Sequence, residues 1–133
     1  MIRDILVHVD GTEAGRRRLA YACALASRHQ ARLTGLHVVS PVEVPLHYKP
    51  SRVENVASAL EARAHLDAEA AEAAFFAAMA GGGVEALWQR AEGGMAAAIC
   101  RAAQTADLVV VGQYEREGTG YGRERYLCQQ QGK

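Results

Sequence analysis

The sequence predicts an α/β protein: a small doubly wound parallel sheet with helices on both faces. Two observations carry this expectation. Four short apolar runs, at residues 5–9, 32–39, 84–89 and 108–111, alternate with three segments of helical periodicity, which is the pattern of successive βαβ units. The first and last of these runs are nearly continuous in apolar residues, as expected of strands buried on both faces and hence paired in parallel.

Each element has its own local reason. Ile5-Leu6-Val7-His8-Val9 is the first strand, and Asp10-Gly11 is turn chemistry that ends it. Thr12 is placed to cap the following helix, and Glu13 suits its positive end. Leu19, Ala22, Cys23 and Ala26 recur at helical spacing, leaving Arg16, Arg17, Arg18 and Arg28 for solvent. Arg32 to Val39 reads as the second strand, closed by Ser40-Pro41. Residues 40–50 hold all three prolines and read as a loop. Ser51 with Glu54 forms a capping-box pattern that opens a long Ala- and Glu-rich helix. Val53, Val56, Leu60, Leu66, Ala70, Ala73 and Ala77 are read as its apolar stripe, and Gly81-Gly82-Gly83 as its stop. Val84, Ala86 and Trp88 alternate with Glu85, Leu87 and Gln89, as in an edge strand. Glu92-Gly93-Gly94 turns into a third helix carrying Met95, Ile99, Cys100 and Ala103, and Leu108 to Val111 is the fourth strand, ended by Gly112.

Residues 1–112 thus form one α/β domain. Residues 113–133 shift to Gln, Glu, Arg and Gly and read as a polar tail. Fifteen basic and fifteen acidic side chains cancel, which argues against nucleic acid or an anionic membrane surface as partner. A hydrophobic content of 50% is enough for a packed core. No apolar run is long enough to span a bilayer. Met1-Ile2-Arg3-Asp4 leads straight into the first strand without the features of a signal peptide. Cys23, Cys100 and Cys128 are scattered, as reduced thiols in cytoplasm would be.

The run Ile5-Leu6-Val7-His8-Val9-Asp10-Gly11-Thr12-Glu13-Ala14 resembles the start of the universal stress protein family, which typically has a strand ending in Val-Asp-Gly-Ser. Leu36-His37-Val38-Val39 looks like that family's second strand. Glu92-Gly93-Gly94 with Met95 to Ile99, then Ala106 to Gly112, is similar to its later half. The resemblance runs in consistent order from residue 2 to residue 112. It implies strand order 3-2-1-4-5, a cytoplasmic dimer induced under stress, and either a nucleotide-binding or a non-binding subclass.

Two departures follow. The family's fifth strand, close to Arg-Pro-Val-Leu-Val-Val-Pro, is missing or replaced, so the expected order is 3-2-1-4. The family's phosphate loop reads Gly, two residues, Gly, nine residues, Gly, then Ser or Thr. Gly112 fits its first position, but Glu115, Arg125 and Tyr126 stand at the others. Glycines let backbone N–H groups approach phosphate closely, and Glu115 and Glu117 would bring negative charge there instead. Gly118-Thr119-Gly120 and Gly122, flanked by Arg116 and Arg123, have two readings: a rearranged anion loop or a loose tail.

Asp10 stands at the carboxyl end of the first strand, where ligands bind in such sheets. The resemblance implies that it faces the adenosine part of a nucleotide; turn chemistry with Gly11 explains it equally. Val38 and Val39 are candidate walls of an adenine pocket and also core residues. The candidate nucleotide pocket is therefore Asp10, Gly11, Val38, Val39 and Gly112, with ATP or AMP as candidate ligand.

His8 and His37 are expected on adjacent strands at similar height, with Asp10 on the face of His8. Two converging ligands are too few for zinc, so both are read as structural and no metal is expected. His29, His47 and His65 read as loop or surface residues. No catalytic constellation is present, so an enzyme is not expected. The leading expectation is a stress-response protein acting through association with itself and with another protein, without tight ATP binding. The alternatives are an ATP- or AMP-binding member with slow or no hydrolysis, and a shortened copy with lost function.

Overall fold

The computed structural model describes residues 1–40 and 50–112, with side chains from residue 55 onward in the second stretch. The elements follow in the order β1 (Asp4–His8), α1 (Glu13–His29), β2 (Arg32–Val39), α2 (Pro50–Met79), β3 (Ala86–Glu92), α3 (Met95–Ala103) and β4 (Leu108–Val110). The four strands form one parallel sheet in the order β3-β2-β1-β4, as expected. The tail at 113–133 lies outside the described residues, as do Pro41, Pro45 and His47.

Side-chain alternation along the strands divides the core in two. Ile5, Val7, Val9 and Leu33 point to one face and pack with Leu19, Ala22 and Ala26 of α1 and Phe75 of α2. Leu6, Leu36 and Val38 point to the other, against Ala98 and Ile99 of α3. Gly35 matters on the α2 face. A Cβ there would stand 2.7 Å from the Phe75 ring and 3.0 Å from Trp88, so glycine lets a fully buried aromatic ring lie directly on the backbone of β2.

Thr12 caps α1 as its sequence suggests, its side chain accepting from the Gly15 N–H at 2.9 Å. Gln30 ends the helix in the left-handed region, at φ 53°, and the Ala31 N–H returns to the Ala26 carbonyl at 2.8 Å. At the amino edge of the sheet, one carboxylate oxygen of Asp107 accepts from the N–H groups of Arg3 and Asp4, at 2.9 and 3.0 Å. Those bonds hold its carboxyl below the usual carboxylate range.

Two expectations need correction. The buried face of α2 is Ala68, Ala71, Phe75 and Met79, whereas Leu60, Leu66, Ala70, Ala73 and Ala77 are exposed. Alanine occurs all round this helix, and the large Phe75 and Met79 side chains set the inward direction by the area they bury. Cys100 lies on the exposed side of α3 while Ala98 and Ile99 face the core. Cys23 carries a free thiol. The Cys23 thiol meets Met79 Sδ at 3.2 Å between α1 and α2, and burial raises its pKa.

Candidate functional site

Adjacent strands β1 and β4 part at their carboxyl ends. The chain leaves β1 toward the face of α1, while α3, which leads into β4, lies on the opposite face. A crevice at such a switch point is where sheets of this kind hold ligands. Asp10 and Gly112 flank it, as the sequence places them.

Asp10 is tied down locally. Its Oδ1 accepts from the Thr12 N–H at 3.0 Å and from the Thr12 hydroxyl at 2.6 Å, the turn predicted for it. Gly15 makes this closeness feasible, since a Cβ there would collide with Asp10 Oδ1. Burial opposes ionisation of Asp10, but the two Thr12 bonds, with help from Arg18 and His8, outweigh it and hold the pKa below its ordinary value.

The residue that sequence reasoning missed is Arg18. It was expected in water, yet its side chain is only 12% exposed. Its Nη1 donates to the His8 carbonyl at 2.9 Å and lies 3.4 Å from His8 Nδ1. The same nitrogen is 3.6 Å from Asp10 Oδ2. Nη2 occupies the space beside Gly112 where a Cβ would otherwise stand. Arg18 thus bridges the ends of β1 and β4 from within the chain. A signal existed: of the three consecutive arginines, Arg18 alone stands four residues before Ala22 and three after Gly15, both buried on the inner face of α1. Its Nε is buried without a hydrogen-bond partner among the described residues.

His8 is buried at 8% exposure. Desolvation is the main reason its pKa falls to about 4; Asp10 opposes the shift, and Arg18 and His37 add to it. The ring is therefore neutral at pH 7. Because a guanidinium only donates, Nδ1 of His8 is the accepting nitrogen. His37 makes the reverse choice, its Nδ1 donating to the Val9 carbonyl at 3.0 Å.

The two histidines do not converge as expected. His8 pairs in register with Leu36, so His37, one residue on, projects from the opposite face and stacks on Trp88 at 6.4 Å. Among the described residues no group of three His, Cys, Asp or Glu is placed to hold a metal ion.

Gly11 is exposed in the turn. Val38 packs into the α3 side of the core. Val39 lines a different cleft, of about 430 Å³, between α2 and the ends of β2 and β3, with Glu61, His65, Arg90 and Glu92. The structure gathers Asp10 and Gly112 around Arg18, and Val38 and Val39 lie at the carboxyl end of β2, the strand beside β1. Among the described residues no helix is long and apolar enough to cross a membrane.

The model of the universal stress protein family matches residues 1–121. A solved protein of that family from Burkholderia pseudomallei is 28% identical; the match covers 84% of this chain and 82% of that one, with a TM-score of 0.62. Universal stress protein UspA from Lactobacillus plantarum superposes with a TM-score of 0.68 at 24% identity, over 91% and 83% of the two chains. A universal stress protein solved in complex with cAMP shares the fold at 22% identity and a TM-score of 0.59, over 84% and 76%. No curated protein matches the sequence.

Proposed function

The chain belongs to the universal stress protein family, and from that premise we propose that it acts in the cytoplasmic stress response by protein association, with itself and with another protein, and neither holds ATP tightly nor catalyses a reaction. One observation carries this reading. The guanidinium of Arg18 lies across the ends of β1 and β4, bound to the His8 carbonyl and beside Asp10. The crevice is bridged by the chain itself, and the Asp10 carboxylate is already engaged by Thr12 and Arg18. The sequence supports the same reading, because Glu115, Arg125 and Tyr126 stand where glycines and a hydroxyl would cradle phosphates.

A second reading is a member that binds an adenine nucleotide and hydrolyses it slowly or not at all. The buried Nε of Arg18, without a hydrogen-bond partner among the described residues, favours it, since a phosphate oxygen would satisfy that donor. The neighbour solved with cAMP supports it only at the level of the shared fold.

Titration calorimetry of the full chain with ATP and AMP separates the readings. The first expects ATP affinity weaker than about 100 μM, because no set of amides is organised around a triphosphate. Stoichiometric ATP carried through purification overturns it.

A further inference from the structure

Resting on the self-association reading above, we infer that the outward face of α2 is an interface with a second copy of this chain, the two helices running antiparallel about a two-fold axis through Leu66.

The face is apolar where solvent should favour polar residues. Leu66 is 60% exposed, and it stands on the side of the helix opposite Phe75, which is fully buried. Ala59, Ala62, Ala70 and Ala73 share its exposed stripe. Leu66, Ala70 and Ala73 are residues that the sequence offered to the core and the fold turned outward.

What identifies the occupant is the symmetry of the pattern. Read from Leu66, an alanine follows four residues away and another seven away in both directions: Ala62 and Ala59 one way, Ala70 and Ala73 the other. Turned end for end about Leu66, the stripe superposes on itself. An isologous contact requires such a surface, since each patch must meet its own copy. Small side chains on both sides of one large one let two backbones approach while Leu66 meets Leu66 on the axis.

The charges follow the same axis. Arg63 and Asp67 lie on one edge of the stripe, with Nε and Oδ1 3.2 Å apart. His65 and Glu69 lie on the other, with Nε2 and Oε1 3.0 Å apart. In an antiparallel pair each edge faces its own copy. Arg63 then meets Asp67 of the second copy, and His65 meets Glu69 of the second copy. On the first edge Arg63 precedes Leu66 and Asp67 follows it, so the antiparallel arrangement sets opposite charges face to face there, and on the second it sets the His65 ring beside the Glu69 carboxylate. A parallel pair of the same helices would set Asp67 against Glu69.

One helix–helix contact of this length falls at the small end of specific interfaces, so a dissociation constant on the order of 10–100 μM is expected.

Sedimentation equilibrium on the full chain tests the proposal, over concentrations from about 5 to 500 μM that bracket that constant. Leu66→Glu puts two carboxylates on the axis and should weaken association at least about tenfold. Thermal melts followed by circular dichroism should be unchanged, because Leu66 touches solvent in the monomer. Arg63→Asp and Asp67→Arg should each weaken association, and the double exchange should restore it. Wild-type association that Leu66→Glu leaves unchanged overturns this interface while the self-association reading stands. Weakening by Leu66→Glu without recovery in the double exchange overturns the antiparallel register. A wild-type chain that stays monomeric at every concentration overturns the self-association reading, and the interface with it.

Discussion

The ring of Phe75 rests on the backbone of Gly35: a side-chain carbon on residue 35 would stand 2.7 Å from Cδ1 of that ring. Phe75 is fully buried and sits 5.3 Å from Trp88, centroid to centroid, so the ring has little room to yield. Gly35→Ala should therefore destabilise the fold by about 1–3 kcal/mol through overpacking. Phe75→Ala should cost about 3–5 kcal/mol, from lost burial and the cavity left behind. The two costs should not add, because truncating the ring vacates the space that the new methyl needs. Urea unfolding of both single variants and the double variant checks all three statements.

Acid should loosen the protein before its carboxylates titrate. Burial holds the His8 pKa at about 4 in the fold, against 6.5 for the free side chain. Between those values the unfolded chain binds a proton that the folded chain refuses, so stability falls as pH drops through that window. The loss comes to about 3 kcal/mol once pH falls below the folded value. Above pH 6.5 the ring is neutral in both states and contributes no slope. Unfolding free energies measured from pH 7 to 4 should show this decline, and His8→Leu should flatten it.

Arg18→Met tests the bridge across β1 and β4. The substitution removes a buried cation with an unmade bond at Nε and keeps similar apolar bulk. It leaves Asp10 without its cation and the His8 carbonyl without that donor, so a destabilisation of about 1–3 kcal/mol is expected. Two titrations should move in the same direction. Arg18 helps to lower the pKa values of both Asp10 and His8, so both should rise when the positive charge is gone. Carboxyl-carbon and imidazole resonances followed against pH by NMR read the two shifts directly.

Local chemistry made much of this fold legible, and spatial neighbours decided the rest. Arg32–Val39 forms a strand over the span predicted for it, and Thr12 caps α1, because apolar runs and capping side chains act within a few residues. The inward face of α2 was misread because alanine carries little direction, and Phe75 declares its role only against Gly35 and Trp88. The pairing of His8 with Leu36 rather than His37 depends on how two distant strands align, and a one-residue offset sends the side chains to opposite faces. Arg18 was hidden among like neighbours in Arg16-Arg17-Arg18. Its spacing from Gly15 and Ala22 marked the inner face, but arginine is so rarely buried that composition outweighed position.

The Asp107 carboxylate that accepts from Arg3 and Asp4 joins points 104 and 103 residues apart in sequence. Contacts at such separation form only after much of the chain between them has been ordered, because closing a long loop is entropically costly. Docking of β4 onto β1 is therefore expected late on the folding route, completed by this carboxylate. Asp107→Asn, which keeps the shape and weakens the acceptor, should leave the refolding rate nearly unchanged and speed unfolding. Stopped-flow rates across a denaturant series test this, and a variant that slows refolding instead would place Asp107 in the folding nucleus.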